Sequence, residues 1–172
     1  MSAVPVWFER KFTFDFPADQ YPNLCVRLRG TPARLEEVLR DLSRETLVRK
    51  KDGKWSIQEH AGHLLNLEPL WLARVEDFVT AKSVLSAADL SNRQTDEANY
   101  NAQKIEEVLA EFRAARHGLV NRAGGLQPEL FSRTVLHPRL QQPMRLVDHL
   151  YFVAEHDDHH LARMWELIKV RS

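Results

Sequence analysis

The segment LVDHLYFVAEHDDHHLARMWELI, residues 146–168, decides how the rest of this chain is read. Leu146, Val147, Leu150, Tyr151, Val153, Ala154, Leu161, Met164, Trp165 and Ile168 recur at helical spacing, so the segment is a long amphipathic helix with one face to bury. At about 100° per residue, His149, His156 and His160 fall within roughly 40° of one another at one edge of the apolar arc. His159 points nearly the opposite way, so the His159-His160 doublet is not a unit. The i,i+4 pair His156/His160 sets two imidazoles one turn apart on one face, the spacing by which a helix offers two nitrogens to one divalent metal. A third ligand has to come from another helix.

Working outward, Ser56-Ile57-Gln58-Glu59 is a capping-box pattern, and Ile57, Ala61, Leu64, Leu65, Trp71, Leu72, Val75, Phe78 and Val79 extend an apolar face from it to about Ala81. A further helix runs from about Ala102, through Ile105, Val108, Leu109, Phe112, Leu119 and Val120, to its stop at Gly124-Gly125. Thr31-Pro32 reads as a helix start, followed by Leu35, Val38, Leu39 and Leu42. Residues 1–30, broken by Pro5, Pro17, Pro22 and Gly30, read as an arm; its alternating Phe12, Phe14 and Phe16 cover the helical body or meet a second subunit. The polar stretch 82–101 is a long connection with room for a short helical turn. Another loop, with His137-Pro138 and Gln142-Pro143, leads into the last helix. Four amphipathic helices without a firm strand pattern predict an all-α bundle over residues 31–172, with residues 1–30 packed on it.

Composition narrows the function. The 172 residues carry 24 Lys+Arg and 24 Asp+Glu, so the chain lacks the basic excess of a phosphate-neutralising nucleic-acid binder. No run approaches the roughly 20 apolar residues of a membrane helix, and the amino-terminal residues lack an apolar export core. One cysteine, Cys25, fits a reducing cytoplasm, and a buried structural thiol is its expected role. The expectation is a cytoplasmic protein with no nucleic-acid or membrane partner. Eight histidines are the unusual part of the tally.

Helix 56–81 supplies two candidates for the third ligand. His60 lies inside its apolar arc and His63 at the edge, so periodicity slightly favours His60 without deciding. The same projection puts Glu68 near the centre of this arc, Arg116 near the centre of the 102–124 arc, and Asp157 within the arc of the last helix. Charges are rarely buried unless paired. Arg116 is therefore expected to meet Glu68, Asp157 or both inside the bundle, as a clamp or as support for the imidazoles.

Trp55-Ser56 followed by Gly62-His63-Leu64, and Glu155-His156-Asp157-Asp158-His159-His160-Leu161, resemble the DinB/YfiT-like superfamily of metalloenzymes. Trp7-Phe8-Glu9-Arg10-Lys11-Phe12 and Thr31-Pro32-Ala33-Arg34 resemble one of its branches, so the similarity spans nearly the whole chain. The resemblance implies an up-down-down-up four-helix bundle, commonly a homodimer, in which three histidines hold a divalent metal such as zinc or nickel. Carried over by position, those ligands are His63, eight residues after the Trp, and the pair His156 and His160. The resemblance thus selects His63 over His60.

Three neutral imidazoles leave open coordination positions, the mark of a reactive rather than a closed structural site. A metal-bound water would be acidified toward a pKa of about 7, and a bound thiol would be held as its thiolate. The resemblance implies either thiol-dependent S-transferase chemistry, with a low-molecular-weight thiol as cosubstrate, or hydrolysis of a small molecule. Glu59, Glu68 and Asp157 are the candidate general bases. The competing reading is a non-catalytic metal- or small-ligand-binding protein, or a stress-related structural bundle.

Overall fold

The computed structural model describes residues 4–169. Its helices are α1 (Tyr21–Leu39), α2 (Arg44–Val48), α3 (Ile57–Val79), α4 (Arg93–Glu97), α5 (Ile105–Gly124) and α6 (Leu146–Lys169), with a hairpin of β1 (Thr134–His137) and β2 (Gln142–Arg145) before α6. Four long helices form the bundle: α1 packs against α5 and α6, and α3 packs against the same two. Cross-helix pairs give the directions. Glu68 and Glu76 of α3 meet Arg116 and Arg122 of α5 in the same order, so those helices are parallel. Arg27 and Arg34 of α1 follow Glu155 and Asp158 of α6 in the same order, so that pair is parallel too. His60 meets His160, whereas Trp71 meets His149, which makes α3 and α6 antiparallel. The order is therefore up-down-down-up, and the parallel pair α3 and α5, consecutive among the long helices, requires the long connection over residues 80–104.

The start of α3 follows its sequence pattern. The Ser56 side chain accepts from the Glu59 N–H (3.1 Å), and Glu59 reciprocally accepts from the Ser56 N–H (2.8 Å). The start of α1 does not. It begins at Tyr21, ten residues before Thr31, so residues 21–30 belong to the bundle and Thr31-Pro32 lies inside a helix. Pro22 sits in the first turn, where its missing N–H costs nothing. Pro32 cannot donate to the Leu28 carbonyl one turn back, and Arg116 Nη1 approaches that oxygen instead (3.4 Å). The β1–β2 hairpin is a second departure from a purely helical pattern: its strands pair antiparallel, Thr134 with Arg145 through His137 with Gln142. Between residues 82 and 104 lies the single α4 turn plus a 3₁₀ turn at Tyr100–Ala102.

The arm is extended, with a 3₁₀ turn at Trp7–Glu9. Trp7, Phe12, Phe14 and Phe16 pack onto the bundle, chiefly against Phe152 and Tyr151 of α6. Arg10 adds an ion pair to Glu155 (2.7 Å), and the Val4 N–H donates to Glu166 Oε1 (2.6 Å). One apolar cluster holds Leu28, Trp71, Phe78, Leu119 and Val153; the other holds Leu35, Leu64, Phe112, Leu161 and Met164. The layer between them is polar, built from Thr31, Glu68, Arg116 and Asp157, all buried. Gly62 of α3 is required by a close approach: a Cβ there would stand 2.2 Å from the Tyr100 ring. Among the described residues no helix is long and apolar enough to cross a membrane.

Candidate metal centre

Because α3 and α6 run antiparallel side by side, the first two turns of α3 face the middle of α6. His63, His156 and His160 are all buried, and one ring nitrogen of each lies within 4.8 Å of the others. His156 Nε2 and His160 Nε2 are 3.2 Å apart. Two nitrogens bound to one tetrahedral zinc at about 2.0–2.1 Å stand about 3.3 Å from each other. His156 Nδ1 is buried with no hydrogen-bond partner among the described residues. The Nε2–Nε2 separation and the convergence of three neutral ring nitrogens thus fit one shared divalent cation.

The other ring nitrogens set the orientation. His63 Nδ1 lies 3.0 Å from Thr95 Oγ1 of α4; donating there leaves the Nε2 lone pair for the cluster. His160 Nδ1 lies 2.9 Å from His60 Nδ1, so with Nε2 in the cluster it donates to His60. His60, the candidate favoured by periodicity, therefore stands beside the three rather than among them. Burial, before any neighbouring charge, pulls His60 down to about 3 and His63 to about 4, and holds His156 and His160 well below the ordinary imidazole range. All are neutral at pH 7, the form that binds metal. Trp55 covers the group, its ring 4.7 Å from that of His63, and is held by an Nε1–H bond to Asp96 (2.8 Å).

Arg116 lies directly behind this cluster. Its Nη2 and Nε donate to Glu68 (2.5 and 3.1 Å), and Nη2 also reaches Asp157 Oδ1 (3.1 Å), while Nη1 bonds to Asp157 Oδ2. Thr31 Oγ1 donates to the same Asp157 oxygen (2.9 Å). Burial alone would lower the Arg116 pKa, but Asp157 and Glu68 outweigh it and raise it, so the guanidinium stays charged. Burial pushes Glu68 up to about 7 against the pull of Arg116. Asp157 neighbours His156 in sequence, so the clamp fixes the helix at the turn that carries the imidazole.

The three candidate general bases are all committed elsewhere. Glu59 closes the α3 cap and pairs with Lys50 (2.8 Å), and Glu68 and Asp157 hold Arg116. The histidines open into a cavity of about 640 Å³ walled by Trp7, Phe8, Leu67, Trp71 and Phe152. Its described lining contains one carboxylate, Asp89, which accepts from Ser91 and Arg93. His159 is half-buried against Trp7 at the rim of this cavity. Cys25 is half-buried in α1, away from the cavity lining, and burial raises its thiol pKa.

Sequence reasoning overlooked several residues here. Thr95 and Arg139 lie outside the long periodic helices, and Arg74 and Asp77 find their partners in residues 82–86 and in the hairpin. His137, in the loop before the last helix by sequence, is buried in the cavity wall beside Arg74. His149 is buried too, with Nε2 3.2 Å from the Trp71 carbonyl. His117, on α5, lies outside the cavity lining.

Residues 27–164 match the sequence description of the DinB superfamily. YfiT from Bacillus subtilis, characterised as a "probable metal-dependent hydrolase with an unusual four-helix bundle topology", matches 94% of this chain and 93% of its own with a TM-score of 0.80, at 19% sequence identity. At that identity the likeness establishes a shared fold. No curated protein matches the sequence.

Proposed function

The chain belongs to the DinB superfamily, and on that footing we propose that it is a divalent-metal-dependent enzyme acting on a small molecule held above His63, His156 and His160. The observation that carries this reading is a buried, neutral three-histidine cluster at the floor of an apolar cavity of about 640 Å³. Zinc or nickel suits three imidazoles. When bound there, the metal supplies a Lewis acid that lowers the pKa of a coordinated water or thiol. The chain contributes the rest: Thr95 and His60 orient two of the imidazoles, Trp55 and Trp71 shield the cluster, and the Arg116 clamp fixes its spacing.

Hydrolysis is the first reaction to test, given the description of YfiT. Thiol-dependent S-transfer is the second, favoured by one feature: the candidate carboxylate bases are all engaged, and a thiolate nucleophile needs none. The deciding experiment pairs zinc and nickel stoichiometry with a turnover screen, using ester and amide substrates alone and electrophiles with low-molecular-weight thiols. His63→Ala, His156→Ala and His160→Ala should each lose the metal and the turnover, and His60→Ala should keep the metal. Turnover that survives His160→Ala refutes a metal mechanism. Stoichiometric metal with no turnover on any substrate favours the non-catalytic binder.

A further inference from the structure

The wall of the cavity on the hairpin side holds two arginines, Arg74 and Arg139, with which no carboxylate forms an ion pair among the described residues. Arg139, at the tip of the β1–β2 hairpin, places its guanidinium 5.4 Å from the Phe8 ring centroid and 5.8 Å from that of Phe152. Its Nη2 is buried and has no hydrogen-bond partner among the described residues. Among the described residues no carboxylate forms an ion pair with it, and burial alone lowers its pKa.

Arg74 of α3 is also buried in this wall. Its Nε donates to the Ser86 carbonyl (2.9 Å), and its Nη1 faces His137 Nε2 at 3.2 Å. His137 Nδ1 already accepts from the Leu140 N–H (3.1 Å). Burial pulls His137 down to about 3, so the ring is neutral and accepts at one nitrogen only. One of the two donors aimed at His137 is therefore left over. Asp77, the nearest acid to Arg74, is held by Lys82 (2.6 Å) and the Ser86 N–H (2.6 Å). Buried cationic donors without acceptors are costly unless something negative arrives to meet them.

We propose that Arg139 and Arg74 form an anion subsite that takes the carboxylate of an apolar-bodied substrate, whose reacting group lies over the three histidines. The placement sets the spacing. Phe152, which Arg139 overlies, and His156 are one turn apart on α6, about 6 Å along its axis, a gap that a short carbon chain bridges. Trp7, Trp71 and Phe152 flank that gap and would cover the chain. A carboxylate suits the site because its planar pair of acceptors matches a guanidinium edge. The assignment names a substrate class for the metal-dependent reading above and rests on it for the reacting end only.

The test measures binding, not turnover. Calorimetric titrations of 4-phenylbutyrate and of the neutral 4-phenylbutanamide are run on zinc-loaded protein and on chelator-stripped protein. The acid should bind at least about tenfold tighter than the amide in both forms. Arg139→Gln should bring the ratio close to one while leaving zinc stoichiometry unchanged. Equal binding of acid and amide by the unmutated protein overturns the proposal, as does failure of both to bind at millimolar concentration. An acid preference that survives Arg139→Gln and vanishes with the zinc also overturns it, because the carboxylate then sits on the metal. Should the protein take up no zinc yet show the Arg139-dependent preference, the metal reading fails and the subsite stands.

Discussion

Replacing Arg116 with Met is the sharpest test of how the bundle holds its centre. Arg116 and Asp157 are fully buried and Glu68 is 3% exposed, so no water can take over when the guanidinium is removed. Two carboxylates then face each other inside the core, and at least one must take up a proton or drive the helices apart. Breaking a buried pair in this way costs about 3–5 kcal/mol. With a urea m-value of about 2 kcal/mol/M, the unfolding midpoint should fall by about 2 M. Urea titration followed by tryptophan fluorescence and far-ultraviolet circular dichroism reads this directly. The triple change Arg116→Met, Glu68→Met, Asp157→Leu removes the charges together and should recover at least half the loss, since an apolar replacement of a buried ion pair is often neutral or stabilising. A loss below about 1 kcal/mol for Arg116→Met would refute the reasoning, because it would mean that the two acids are not desolvated.

Three other outcomes follow from particular contacts. Gly62→Ala puts a Cβ against the Tyr100 ring and should cost about 1–3 kcal/mol, read by thermal melting; an unchanged Tm would show that the ring is not seated on α3. Thr95→Val removes the acceptor of His63 Nδ1 and should weaken zinc binding about 10- to 100-fold by competition with a chelator, whereas unaltered affinity would separate Thr95 from the centre. His149 is buried and pulled down to about 3 from an ordinary 6.5, first by desolvation and then by Arg74. The unfolded state therefore binds more protons between those values, and this group's stability is full above pH 6.5 and lost as pH falls toward 3, by about 1.4 kcal/mol per unit. His149→Leu should flatten the stability–pH slope between pH 6 and pH 5 by about that amount in urea titrations; an unchanged slope contradicts it.

The long helices were legible because their apolar faces are periodic. The ends were legible only where a local motif makes them, as at the Ser56–Glu59 capping box. The start of α1 was hidden because Pro22, Gly30 and Pro32 look like breakers in one dimension, while Arg116, brought up from α5, meets the carbonyl that Pro32 abandons. The hairpin was hidden because strands of four residues with Pro138 and Pro143 nearby carry little pattern. At the site, the helical wheel could place Glu68, Arg116 and Asp157 inside, since a charge at the centre of an apolar arc must find a partner. It could not choose between His60 and His63. That choice depends on which ring nitrogen faces α6, and on Thr95, carried by the short α4 within a connection that has no periodicity. Arg74 and Arg139 are not legible either: what makes them unusual is that no carboxylate among the described residues pairs with them, Asp77 being held by Lys82 and Ser86, which no spacing encodes.

The two sides of the cavity are built to different standards. Its floor stands on α3 and α6, tied by buried charges, while the wall from Val4 to Phe8 is held by aromatic packing, by the Val4 N–H bond to Glu166 and by the Arg10–Glu155 pair. Any ligand that needs that wall binds only the molecules in which it is docked, so its measured affinity is the intrinsic value scaled by the docked fraction. A substitution in the arm that lowers that fraction tenfold weakens every such ligand by about 1.4 kcal/mol without touching a histidine. A change in the arm can thus retune affinity for a whole class of such ligands at once while leaving the histidines where they stand.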